Sequence, residues 1–341
     1  MGQTAITRRA LFGAAAGAGG LAVLAGGARL AGAGSPHGGP PDHGAGHDVA
    51  HAGTRGAVDH RRNGFDPHEI LTDWDRGRTR RLPGGRVLRE WEVVAEEKEI
   101  EVAPGVYYPA WTYNGRVPGP TFRATQGDLL RIRFRNGTAH PHTMHFHGLH
   151  RSVADGSVGT GPGGGVAPGG EHVYEFTAAP FGLHLYHCHT FPLAAHIAKG
   201  LYGAFVIDPP GGRPDAHEIV LVQNGFDTNF DKSNEVYAVN TVAFAYMDRP
   251  IPVRRGEPLR VYLVNVLEYD LLNSFHLHGN FFHHYPTGTS LEPSELTDTV
   301  AQVQGQRGIL EMTFPDTGTY MFHAHQSEFA ELGWTGLFQV S

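Results

Sequence analysis

Cys188 is the only cysteine in 341 residues and stands in the run His184-Leu185-Tyr186-His187-Cys188-His189. One cysteine rules out an intrachain disulfide. A thiol with histidine on both sides is suited instead to hold a metal, and a buried cysteine acting as a small hydrophobe fits that setting poorly. Three more His-X-His pairs occur: His145/His147, His276/His278 and His323/His325. On a β-strand, residues i and i+2 share a face, so each pair aims two imidazoles at one point. The four pairs supply eight imidazoles, enough for a cluster of several metal ions. Cys188 falls on the opposite face from its two neighbours and so belongs to a second site, joined to the first through the backbone.

The chemistry of that second site follows from its donors. An electron-transfer copper centre needs two imidazoles and one thiolate, with a weak axial ligand or none. With Cys188 as the thiolate, His196 lies eight residues downstream and His142 stands three residues before His145. Leu201 occupies the place where a methionine would otherwise sit. A hydrocarbon cannot coordinate, so a three-coordinate copper with a raised reduction potential is expected.

These residues need strands to carry them. Forty-seven glycines and 23 prolines argue against a helical protein. From about Arg86 onward apolar and polar residues alternate: Leu130, Ile132 and Phe134 interleave with Arg131, Arg133 and Arg135. Similar runs at 173–177, 202–207, 219–223, 259–266 and 334–340 are broken by Gly and Pro, which predicts an all-β protein of sandwich domains. The halves repeat each other. Gly127-Asp128-Leu129-Leu130-Arg131-Ile132 leads to His145-Phe146-His147-Gly148, and Gly256-Glu257-Pro258-Leu259-Arg260-Val261 leads to His276-Leu277-His278-Gly279. Tyr186-His187-Cys188-His189 then matches Tyr320 followed by His323-Ala324-His325. Pro209–Pro214 reads as the linker, giving domains over 86–210 and 215–341.

Taken together, His-X-His-Gly, His-Cys-His with a downstream histidine, and a second pair of His-X-His motifs resemble the multicopper oxidases over roughly residues 86–341. The resemblance implies two cupredoxin-like Greek-key sandwiches and four coppers per chain: one type 1, one type 2 and two type 3. By the same resemblance His142, Cys188 and His196 hold type 1 copper, with Leu201 as a non-coordinating axial residue. His145 and His276 match type 2 ligands, and His147, His187, His189, His278, His323 and His325 match type 3 ligands. In the second half Asn273, Ala324, Phe329 and Trp334 stand at the positions of His142, Cys188, His196 and Leu201. All four are non-liganding, so the second domain is expected to keep cluster histidines and lack a type 1 site.

The resemblance further implies a laccase-like oxidase. A small reducing substrate, phenolic, aromatic or similar, would give single electrons at type 1 copper, and dioxygen would be reduced to water at the cluster. Two-domain members close the cluster between neighbouring subunits, so a homotrimer with head-to-tail contacts is expected. Asp155 and Glu328 are candidate proton-relay carboxylates, a loop charge being an equal reading of each. His150, His283 and His284 lie outside the matching motifs and are expected to be ordinary polar or supporting residues. The nearest alternative is a copper nitrite reductase, whose first motif resembles Pro141–Gly148. That family carries an aspartate where His145 sits and lacks a histidine at the position of His189. A copper carrier is a weaker alternative, favoured by the His-rich tail, and a zinc hydrolase a remote one.

The net charge of −7 gives no basic surface for nucleic acid. Thr7-Arg8-Arg9-Ala10-Leu11-Phe12, an Ala/Gly/Leu run to Leu30 and Ala31-Gly32-Ala33 read as a twin-arginine export signal over 1–33. That route carries folded proteins, so the expected location is extracellular or in the cell envelope or periplasm. An uncleaved anchor is the alternative, disfavoured by the Gly and Ala content. Residues 34–85, rich in His, Gly and Pro, are expected to form a flexible linker.

Overall fold

Leu130, Ile132 and Phe134 are fully buried while Arg133 and Arg135 are exposed, so the alternation seen in the sequence is realised as the strand Leu129–Asn136. The structure is a computed structural model that describes residues 55–151 and 165–341. The expected signal segment, the linker up to residue 54 and Asp155 lie outside the described residues.

The first half packs two sheets. One runs Arg78–Arg81, Val87–Ala103, Leu129–Asn136 and Glu171–Thr177, with Val106–Tyr113 also paired to the long second strand. The other runs Trp74–Asp75, Thr121–Thr125, Tyr202–Asp208, Gly182–His187 and His145–Phe146. Trp91, Ile132, Phe134 and Tyr174 of the first sheet share a core with Phe122, Phe146, Tyr186 and Phe205 of the second. The second half repeats the plan, with Leu221, Leu263 and Leu310 from one sheet packed against Phe275, Phe322 and Phe338 from the other. The repeat extends to strand direction: Val87–Ala103 pairs parallel with Leu129–Asn136, and His217–Phe226 pairs parallel with Pro258–Asn265.

A third apolar cluster joins the halves, with Tyr108, Leu183, Leu185 and Tyr202 packed among Val220, Val222, Tyr262 and Ile309. Leu183 N–H donates to Thr287 O at 2.8 Å, and Arg307 Nε returns a bond to Leu183 O at 3.0 Å.

The expected flexible linker is corrected from residue 55 onward. Phe65, Ile70 and Leu71 are buried, and Asn63 is clamped to the Glu101 backbone by bonds of 2.9 and 2.8 Å. Asp59 and Asp66 cap two short helices, His60–Asn63 and Pro67–Ile70, the second with proline in its first turn. Composition averaged these few apolar anchors away among polar neighbours. Once buried, they bind the segment to the second half, where Tyr246 OH donates to Pro67 O at 2.7 Å.

Across the junction runs a chain of charges. Arg123 of the first half holds Asp208 with two bonds of 2.9 Å and Glu218 at 2.6 Å; Arg260 holds the other oxygen of Glu218 at 2.8 Å and also binds Glu311. Burial alone would raise the Glu218 carboxyl, but hydrogen bonds and charge from Arg123 and Arg260 hold it down to about 2, against 4.5 ordinarily. A depressed carboxyl contributes stability above its unfolded value and loses it as pH falls through the folded one. Glu218→Gln is therefore expected to destabilise the fold at pH 7 by roughly 3 kcal/mol, the order found when a buried pair is broken. It should also flatten the loss of stability between pH 4.5 and about 2. Denaturant melts at both pH extremes measure this, and a variant as acid-labile as the parent would refute it.

Candidate metal centre

The strand ending at His187 passes Cys188 into the core of the first sandwich, where it is fully buried. Cys188 Sγ lies 3.2 Å from His196 Nδ1 and 3.8 Å from His142 Nδ1, and the two imidazole nitrogens are 3.1 Å apart. Three segments bring these atoms together. Asn136, fully buried, holds the loop before His142 by donating to His140 O at 2.6 Å and Val166 O at 2.8 Å. His196 comes from the short helix Leu193–Ala198. Leu201, fully buried, accepts the Cys188 N–H at 2.9 Å and donates to His196 O at 3.4 Å.

Burial pushes the Cys188 thiol up, and hydrogen bonds from Thr143 and Thr190 offset part of that rise. Burial, together with neighbouring imidazoles, lowers His142 to about 3 and His196 to about 4, so both rings are neutral at pH 7. Two neutral imidazoles and a thiol that must lose its proton to bind form the donor set of an electron-transfer copper.

The paired histidines meet as the two-residue period requires. His145 is in register with His187 across antiparallel strands, and His276 is in register with His323. His147 and His187 approach with Nε2 atoms 2.8 Å apart, and His278 and His323 with theirs 2.9 Å apart. The rings of His189 and His325 complete each set, 5.3 Å from His145 and 5.2 Å from His276 between centroids. His187 Nδ1 faces Cys188 O at 2.8 Å, His323 Nδ1 faces Ala324 O at 2.6 Å, and His276 Nδ1 faces Asp298 O at 3.0 Å. A carbonyl only accepts, so in each case the ring hydrogen sits on Nδ1 and the Nε2 lone pair is left for a metal. Burial, the neighbouring imidazoles and the Arg307 guanidinium lower His147 to about 3. The atoms of His145, His147 and His187 lie within 4.8 Å of one another, as do those of His276, His278 and His323. Among the described residues no ligand group mixes histidines of the two halves.

The second half reproduces the frame without the thiolate site. Thr143 Oγ1 accepts the His189 N–H at 3.0 Å, and Ser274 Oγ accepts the His325 N–H at 2.7 Å. Ala324 N–H donates to Trp334 O at 3.2 Å, as Cys188 does to Leu201, and Trp334 N–H donates to Phe329 O at 2.8 Å, as Leu201 does to His196. Asn273, Ala324, Phe329 and Trp334 thus stand in the places of His142, Cys188, His196 and Leu201, all buried.

His150, expected to be a polar or supporting residue, stands beside a paired histidine, and His184, Glu268 and Gln304 join the site with no motif to mark them. His150 places Nε2 3.0 Å from His145 Nδ1, orienting that ring. His184 is buried with Nδ1 2.9 Å from His147 O, holding the backbone of a cluster histidine. Glu268 and Gln304 of the second half line a cavity of about 260 Å³ with His145, His147, His187 and His189. Burial raises the Glu268 carboxyl, to which Gln304 donates a hydrogen bond. No motif flagged Glu268, because it reaches the histidines only through the packing of the two halves. Glu328 is exposed on the short helix Ser327–Glu331, and no ligand group among the described residues contains it. His283 is exposed and His284 is paired with Glu295 at 2.9 Å, so neither joins a ligand group.

Two sequence profiles of the multicopper oxidases match residues 94–212 and 214–341, between them most of the chain. The chain belongs to the multicopper oxidase family. Its two sandwiches are cupredoxin-like domains. A solved structure described as a multicopper oxidase is 59% identical, with TM-score 0.82, over 84% of this chain and 100% of that one. A copper nitrite reductase from Nitrosomonas europaea superposes with TM-score 0.66 at 26% identity, over 74% of this chain and 94% of that one. The copper-containing nitrite reductase of Neisseria gonorrhoeae is 31% identical over 67% of this chain, which spans 62% of that relative's length.

The Cys188 donor set fits copper, and the buried hydrocarbon side chain of Leu201 has no atom that could ligate one. Leu201→Met is expected to lower the reduction potential, because a thioether stabilises the oxidised metal. Redox titration of the visible band checks this, and an unchanged or higher potential would show that the side chain at 201 does not reach the metal.

Proposed function

We propose that the chain is a laccase-like oxidase. It takes electrons singly from a small reducing substrate at the Cys188 site and reduces dioxygen at a histidine cluster. The observation that carries this reading is the pairing of two histidine sets, each in the same register, with one thiolate site on the reverse face of the same strand. Copper, when bound, supplies one-electron uptake at His142, Cys188 and His196 and four-electron reduction of dioxygen to water among the eight paired histidines. His145 and His276 are assigned to type 2 copper, and His147, His187, His189, His278, His323 and His325 to the type 3 pair. The bonded run His187-Cys188-His189 links the two sites within three residues. Export of the already folded protein through its amino-terminal twin-arginine segment is part of the same proposal.

Each half of one chain offers its own histidine group. A homotrimer in which the first half of one subunit meets the second half of the next would join the two groups, and we assign this assembly to the protein. Light scattering of the copper-loaded protein is expected to give three chains per particle; an active monomer would rule the assembly out.

Protons for water formation need a carboxylate at the cavity. Glu268 lines it, whereas Glu328 is exposed. Burial raises the Glu268 carboxyl, and we assign it to donate from its Oε atoms toward the histidine cavity. Glu268→Gln is expected to slow oxygen uptake about a hundredfold with copper content unchanged. Uptake at the parental rate would exclude it from proton delivery.

The nitrite reductase relatives favour a second reading. Copper per chain, with optical and EPR spectra, separates the two. About four coppers, a red thiolate band and a near-ultraviolet shoulder from a coupled pair support the oxidase. About two coppers with no coupled pair, and anaerobic activity on nitrite, would replace it.

A further inference from the structure

Both imidazoles of the Cys188 group are closed off from water: His142 is fully buried and His196 is 3% exposed. A reductant in solution touches neither ring. The half-buried side chain that packs on both is Trp111, whose ring meets His142 and His196 edge-on at centroid separations of 4.9 Å in each case. The buried Nε2 of His142 has no hydrogen-bond partner, so no polar contact competes with the indole there.

Trp111 is fixed in this position from below. Its backbone N–H donates to Lys199 O at 2.8 Å, which ties the strand Val106–Tyr113 to the end of the helix carrying His196. The chain then turns at Gly200 with φ of +112°. A Cβ there would lie 2.9 Å from Trp111 O and 2.6 Å from a Val117 methyl, so only glycine passes beneath the indole strand.

On the outer side the indole is bordered by an open rim. The exposed His140 ring lies 4.9 Å from it at an interplanar angle of 40°. The Lys199 ammonium sits 5.7 Å from the Trp111 ring and 4.9 Å from that of Phe230, which is 58% exposed. The rim therefore presents aromatic surface, with one cation drawn toward the ring faces.

We infer that Trp111 is the electron-entry contact of the Cys188 centre and that the rim of His140, Lys199 and Phe230 seats a flat aromatic reductant against it. The inference rests on copper at Cys188 but not on the number of coppers elsewhere. A phenolic donor loses one electron, and its hydroxyl proton passes to water at the open rim. A copper bound by His142, Cys188 and His196 would take up that electron. Trp111 itself is neither oxidised nor reduced in the balance; it closes the gap between donor and ligand rings.

The test needs no turnover. Copper-loaded protein is mixed anaerobically with hydroquinone, and the bleaching of the red thiolate band is followed against donor concentration. Trp111→Leu keeps an apolar cover but removes the π-face; Trp111→Phe restores one. With optical and EPR spectra unchanged, Leu is expected to raise the half-saturating hydroquinone concentration about tenfold, and Phe to recover most of the loss. Parental bleaching in the Leu variant, with an intact spectrum, overturns the inference. Should the Leu variant lose its band, benzyl alcohol, a redox-inert aromatic, gives the answer in the parent protein. Slower bleaching at subsaturating hydroquinone supports the rim, and an unchanged rate overturns it. A parent protein with no red band would overturn the copper reading itself, which is a different result from a normal band and an indifferent variant.

Discussion

The two-residue period of a β-strand sets the rest of this structure. On the strand ending in His187 and continuing through Cys188 to His189, it sends imidazoles to one side and the thiol to the other. The ladder fixes which partners they meet, because His145 faces His187 and His276 faces His323 in antiparallel register. A slip of one residue would turn every imidazole into the core and the thiol out of it. Heavy burial on the core face, with Phe146, Tyr186 and Phe205 packed around the strands, makes such a slip costly.

The same frame was used twice with different contents. Thr143 and Ser274 accept the equivalent N–H groups of His189 and His325, and Leu201 and Trp334 accept those of Cys188 and Ala324. In the first half the space holds a thiol and two neutral imidazoles. In the second it holds Ala324, Asn273 and Phe329, the last stacked on Tyr237 at 4.1 Å. In the second half apolar packing fills the space that the thiol and imidazoles occupy in the first, while the histidines on the reverse face are grouped alike. One fold therefore carries a buried thiol beside two imidazoles in its first half and a group of paired histidines in each half.

The halves are held by apolar packing and by the Arg123–Glu218–Arg260 chain, and this relation puts Glu268 and Gln304 beside the first histidine set. Breaking it would move a carboxylate away from the cavity without touching a ligand. The stability of the junction and the place of Glu268 at the histidine cavity depend on the same contacts.

Local spacing made most of the residues that the structure gathers into donor groups legible. His-X-His, Cys188 between histidines, and the offset to His196 encode which side chains share a face and which do not, and the internal repeat showed that the frame was duplicated. Alternation in the arginine-rich strand likewise identified the sandwich, because burial on one face is a local pattern. Other features depend on residues distant in sequence and left no local trace. Glu268 reaches the histidines across the junction, Trp111 covers rings from a strand 31 residues before His142, and His150 was one polar residue among many until it met His145. Residues 55–85 looked like linker because their few apolar anchors act only when buried against the second half. Sequence determined the donors and their faces through a short-range period; the tertiary structure alone decided what surrounds, shields and feeds them, because those contacts exist only after the two sandwiches pack.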